Sequence, residues 1–164
     1  MLSPELASQV SARLGTLMTE EVSMLRTALG HLQQERQALE AGDVDTLPVL
    51  AARKSEAYGR LAQLGDARSA LLARIGIRPS REVIESLFAS GPDWAQCARS
   101  FRDLITLAQE AHDANVRNGA LIRAQMKASK QALAVLMSAA EQASTYGPDG
   151  QAHTRTSRRS FGSA

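Results

Sequence analysis

The sequence predicts an all-α protein: an elongated antiparallel helical hairpin, a short linking helix and a third long helix in a coiled-coil-like bundle, followed by a disordered C-terminal tail. Three observations predict it. Apolar residues recur at alternating steps of three and four through three long segments, the spacing of a packed helix seam. Turn-forming residues cluster between those segments, in "AGDVDTLP", "GIRPS", "SGPD" and "TYGPDGQ". Aromatics make up only 4% of the chain while alanine and leucine abound, a composition suited to helices meeting along narrow seams. The 164 residues divide into an expected helical domain over 1–145 and a flexible tail over 146–164.

Ser3, Pro4 and Glu5 form a helix start: a hydroxyl cap, a proline at the first position and an acid in the first turn. The seam then runs through Val10, Leu14, Met18, Val22, Leu25, Leu29, Leu32 and Leu39, with Arg36 in one slot. Gly42 offers a left-handed stop, so the first helix is expected over about 4–41. "DVDTLP" restarts the chain with Asp45 or Thr46 as cap and Pro48 tolerated in the first turn. The second seam runs through Leu47, Leu50, Lys54, Ala57, Leu61, Leu64, Arg68, Leu71 and Ile75, giving a helix over about 46–75 that ends at Gly76.

The short connection makes these two helices antiparallel neighbours. Facing residues in such a hairpin share a nearly constant index sum. Glu35 with Lys54 and Glu21 with Arg68 share a sum of 89, the value expected for a turn near residue 44. These pairs are expected to flank the seam and fix its register, each contributing about 0.5 kcal/mol. The alternative is that both cations reach to water.

Ser80 is placed to cap a short helix over about 81–90, and Asp93 to cap a third helix over about 94–145. The third seam reads Trp94, Ala98, Phe101, Ile105, Ala108, His112, Asn115, Gly119, Ile122, Met126, Ser129, Leu133 and Leu136. Such a helix spans about 75 Å, whereas each hairpin helix spans about 50 Å. Part of its second half is therefore expected to keep apolar surface available, which marks a partner site on many proteins.

Composition narrows the function classes. Three tail arginines, Arg155, Arg158 and Arg159, against Asp149 account for the whole formal net charge of +2. The body carries no basic excess of the kind nucleic-acid binding requires. No apolar run approaches the roughly 18 residues of a membrane span. "MLSPELASQV" lacks the layout of a secretory signal. The single Cys97 suits a reducing, cytoplasmic setting and reads as a small residue on a helix. His31, His112 and His153 show no metal spacing, and no phosphate loop, zincin motif or nucleophile elbow is present. The expectation is no enzyme, no cofactor and no metal. Met126, Leu133, Leu136 and Met137 among alanines read either as a groove for an amphipathic helix or as residues buried against the hairpin.

Three stretches in order, "QERQALEAGDVDTLPVLAARKSEAYGRLAQLGDARSALL", "NVRNGALIRAQMKASKQALAVL" and "TYGPDGQ", resemble the FlgN family of flagellar export chaperones over roughly residues 30–151. The resemblance implies a cytosolic chaperone that binds hook-associated proteins 1 and 3, the junction proteins between hook and filament. It implies that the chaperone keeps them unpolymerised and delivers them to the flagellar export gate and the export ATPase complex of the type III apparatus. It places client capture, through the client's disordered C-terminal segment, at Asn115, Asn118, Gly119, Leu121, Ile122, Met126, Leu133 and Leu136. It places docking at the export gate on Tyr146, beside Gly147. "TRTSRRSFGSA" takes no family role. A self-associating coiled-coil scaffold or regulatory adaptor is the alternative class, and a nucleic-acid binder using the arginine tail is a third.

Overall fold

A computed structural model of the chain describes residues 4–78 and 80–145, with side chains from Glu5 through Gln142. The regular structure among these residues is all helical: α1 Pro4–Ala41, α2 Leu47–Arg74, α3 Arg81–Phe88 and α4 Ala95–Thr145, with a single 3-10 turn over Pro92–Trp94. By compactness the chain forms two units, one extending to Leu121 and the other beginning at Ile122.

The helix ends follow from local chemistry. Gly42 and Gly76 adopt φ of 70° and 74°, the left-handed geometry that lets a following N–H turn back onto the last helical carbonyls. Asp43 N–H donates to Ala38 O at 2.9 Å, and Ile77 N–H donates to Leu72 O at 3.0 Å. Ser80 caps α3, its hydroxyl oxygen accepting from Val83 N–H at 3.3 Å. At the start of α2 the capping differs from expectation. Thr46 occupies the cap position in a helical conformation, and its hydroxyl donates back to Asp43 Oδ2 at 2.9 Å. Pro48, in the second helical position, has no N–H for a threonine cap to receive. Asp93 likewise lies within the 3-10 turn instead of capping α4, which begins at Ala95.

Within the first unit α1 is the central helix. Glu35 meets Lys54 and Glu21 meets Arg68, a constant index sum, so α2 runs antiparallel to α1. Cys97 Sγ reaches Ser11 O and Asn118 Nδ2 reaches Leu32 O, each across a separation of 86 residues. A constant difference means that the N-terminal part of α4, through Leu121, runs parallel to α1.

Two apolar clusters fill this unit. One gathers Val10, Leu14, Met18, Leu72, Ile84, Phe88, Trp94 and Cys97. Phe88 lies between two rings there, stacked on Trp94 at 6.0 Å and edge-on to Phe101 at 5.7 Å, so the short α3 closes over α1, α2 and α4 with aromatic area. The other cluster centres on Leu25, Leu32 and Ala111. Full burial of a leucine contributes about 1.5–3 kcal/mol, and Leu14, Leu32 and Leu72 have no exposed surface.

Trp94, Ala98 and Phe101 of the expected seam pack inward as predicted, but beyond them the inward row of α4 is one residue out of step with it. Cys97, Ala111 and Asn118 are buried, with Leu104, Leu107 and Ala114 packed against the clusters, whereas Ala108, His112 and Asn115 are exposed. Apolar residues stand in both adjacent rows, as at Leu104 and Ile105, so periodicity alone does not separate them. On α1 the expected seam is buried from Val10 through Leu32, Leu29 in part, and again at Leu39, and only one slot departs: Glu35 lies inside and Arg36 outside, where Arg36 pairs with Glu40 at 2.7 Å.

Candidate partner-binding face

The first unit spends its polar groups on itself. Glu21 and Glu35, expected beside the seam, lie inside it and are 4% and 5% exposed. Lys54 Nζ donates to Glu35 Oε1 at 2.7 Å, and Asn118 Nδ2 donates to the other carboxylate oxygen at 2.8 Å and to Leu32 O at 2.8 Å. Both oxygens of one carboxylate are thereby engaged, by side chains from two different helices. Glu21 accepts from Arg68 Nε at 2.9 Å. Because the carboxylates are desolvated, removing a partner costs several-fold more than the 0.5 kcal/mol expected of a flanking pair. Tyr58, close enough to feel the Glu35 charge, has its phenol pKa raised by burial and by that charge. Cys97 is buried, its thiol donates to Ser11 O at 3.3 Å, and burial pushes its pKa up to about 11.

The second unit shows the opposite arrangement. Every described side chain from 122 to 142 is exposed. The segment contains no glycine or proline and is rich in alanine, leucine, methionine, lysine and glutamine, so intrinsic propensity favours its helical form. Ile122, Met126, Leu133, Leu136 and Met137 fall within an arc of about 100° on that helix, the width of an amphipathic stripe. Met126, Leu133, Leu136 and Met137 are 53%, 58%, 67% and 56% exposed. Four large apolar side chains on one arc, more than half exposed, form a face suited to a second amphipathic helix.

A family model described as FlgN protein matches residues 10–154. The chain belongs to the FlgN family. FlgN proteins are flagellar export chaperones, not enzymes, and bind flagellar substrate proteins; chaperone activity, flagellum biogenesis and protein export are the general role that membership carries. No curated protein and no solved structure matches the chain. No helix among the described residues is long and apolar enough to cross a membrane. No group of three or more His, Cys, Asp or Glu among them could hold a metal ion.

The residues expected to contact a client fall in different environments. Ile122, Met126, Leu133, Leu136 and Met137 share the exposed stripe of the second unit. Asn115 is exposed in the first unit, and Gly119 and Leu121 are half-buried there. Asn118 departs from its expected role in client contact: it is 2% exposed and its amide is committed to Glu35 and Leu32. The physical reason is the register shift of α4, which turns position 118 inward. Tyr146 and Gly147 lie outside the described residues.

Sequence reading missed one feature of the FlgN chain's exposed segment. Arg123, Lys127 and Lys130 recur at i, i+4 and i+7, forming a basic row along one side of the apolar stripe and lining a shallow groove with Met126, Gln131 and Ala134. The signal was present in the spacing, but the leucines and methionines drew the reading.

Proposed function

We propose that the face formed by Ile122, Met126, Leu133, Leu136 and Met137 captures the C-terminal segment of hook-associated proteins 1 and 3 as an amphipathic helix. In the cytosol this keeps the junction subunits from assembling prematurely, until the chaperone delivers them to the type III export apparatus. The observation that supports the reading is the run of exposed side chains from 122 to 142 with its large apolar residues on one arc, in a chain of the FlgN family. Covering each of those side chains contributes up to about 1.5–3 kcal/mol. Ordering a disordered client costs about 2–5 kcal/mol in return. The balance gives a reversible complex, which a delivery chaperone requires. Methionine at two of the five positions lets the face adapt to more than one client.

Asn115, Gly119 and Leu121 enter this proposal as further contacts on the resemblance alone, while Asn118 holds the helices together. Tyr146, beside Gly147, is assigned to the export gate, with the export ATPase complex as a further contact, on the same basis.

The test is calorimetry with the C-terminal segments of the two junction proteins. The double substitution Leu133→Asp and Leu136→Asp is expected to weaken capture at least 100-fold while helicity by circular dichroism stays near normal. Unchanged affinity removes this face from the account. Sedimentation separates the scaffold alternative, which forms stable homo-oligomers without client. Tyr146→Ala is expected to preserve client affinity and to weaken docking at the gate; an equal fall in client affinity shows that the two roles are one.

A further inference from the structure

We infer that the partner helix carries an acidic flank, seated so that its carboxylates run beside Arg123, Lys127 and Lys130. The inference rests on the capture reading above and specifies its partner. These three cations occupy one side of the apolar stripe within about two helical turns, a span of roughly 10 Å. No aspartate or glutamate lies between Asp113 and Glu141. Among the described residues none of the three forms an ion pair, and no acid stands within a helical turn of any of them to supply one. A helical face that sets three uncompensated cations against a groove containing Met126 selects a ligand that is apolar on one row and anionic on the next.

The charge is also uneven along the axis. Cations occupy 123–130, while 131–140 has none and holds Leu133, Leu136 and Met137. An acidic helix therefore has one favoured direction on this face. Two other occupants fit less well. A parallel second copy sets identical basic rows against each other. A helix lying in a lipid surface relies on large interfacial anchors, and no aromatic residue occurs between Phe101 and Tyr146.

The experiment measures binding of the junction proteins' C-terminal segments to the full chain at 50 and 500 mM NaCl. Three variants are compared with wild type: Arg123→Glu/Lys127→Glu/Lys130→Glu, the corresponding triple glutamine variant, and Leu133→Asp/Leu136→Asp. The glutamate variant is expected to bind about tenfold more weakly at low salt, with the difference collapsing at high salt and the glutamine variant in between. Replacing the client's flanking carboxylates with lysine is expected to restore binding to the glutamate variant. If the glutamate and glutamine variants bind within twofold of wild type at 50 mM while the aspartate variant fails, the acidic partner is overturned and capture stands. If the aspartate variant binds normally, capture itself falls and takes the inference with it. Co-sedimentation of wild type with phosphatidylserine-containing vesicles, lost in both triple variants and unaccompanied by client discrimination, overturns the inference in favour of a membrane surface.

Discussion

Residues 5–121 and residues 122–142 use one helical alphabet toward opposite ends. In the first region leucine, methionine and alanine rows are buried, and so are Glu21, Glu35 and Asn118, each satisfied by a partner on another helix. In the second region every described side chain is exposed, although leucine and methionine are just as frequent. The difference teaches that a periodic apolar row records a capacity for packing. Whether that capacity is used within the chain or offered to a partner depends on what lies opposite the row.

The largest expected effect separates the two regions directly. Leu14→Ala removes a side chain with no exposed surface from the aromatic-lined cluster and is expected to cost about 3–5 kcal/mol in denaturant unfolding. Leu133→Ala, at a position 58% exposed, is expected to change stability by less than about 0.5 kcal/mol. Similar costs at both sites would break the comparison.

Next comes the buried carboxylate. Glu35→Ala strips Lys54 and Asn118 of an acceptor at once and is expected to cost about 3 kcal/mol, at the low end for buried pairs because the Lys54 side chain keeps 20% exposure. Reversing both members of a pair sharpens the point. Glu21→Arg with Arg68→Glu is expected to recover most of the loss caused by either single reversal, measured by thermal unfolding. Glu35→Lys with Lys54→Glu is expected to recover less, since a lysine at 35 cannot accept from the Asn118 amide. Equal recovery would show that Asn118 adds nothing to the network.

The smallest effect concerns pH. The Cys97 thiol is raised to about 11 by burial, from an ordinary value of 9.0. A raised value means that the folded state holds its proton more tightly, so this contribution is complete below pH 9 and is lost as pH climbs toward 11. Cys97→Ala should therefore show a shallower fall in thermal stability than wild type between pH 9 and pH 11. Tyr58, raised in the same sense, acts alongside it above pH 10 in both proteins. Parallel pH profiles would indicate that the thiol is not the group responsible.

The elements were legible because their signals are local. Gly42, Gly76 and Ser80 each act on bonds to residues a few places away, so the breaks and one cap could be read from the chain alone. The pairs Glu35–Lys54 and Glu21–Arg68 followed from arithmetic, because a short hairpin loop ties register to residue number. The exposed stripe could be proposed but not distinguished from a buried one, since the same spacing serves both.

By itself the sequence determined an all-helical chain, its principal breaks and the antiparallel pairing of α1 with α2, because intrahelical hydrogen bonds and loop length need no distant neighbour. Tertiary structure alone decided that α4 enters the first unit parallel to α1, that beyond Phe101 its inward row is one residue earlier than periodicity suggested, and that Asn118 completes the shell of Glu35. The physical reason is that two adjacent apolar rows on a helix are equivalent until another helix selects one of them, and a polar side chain becomes structural only when that choice turns it inward.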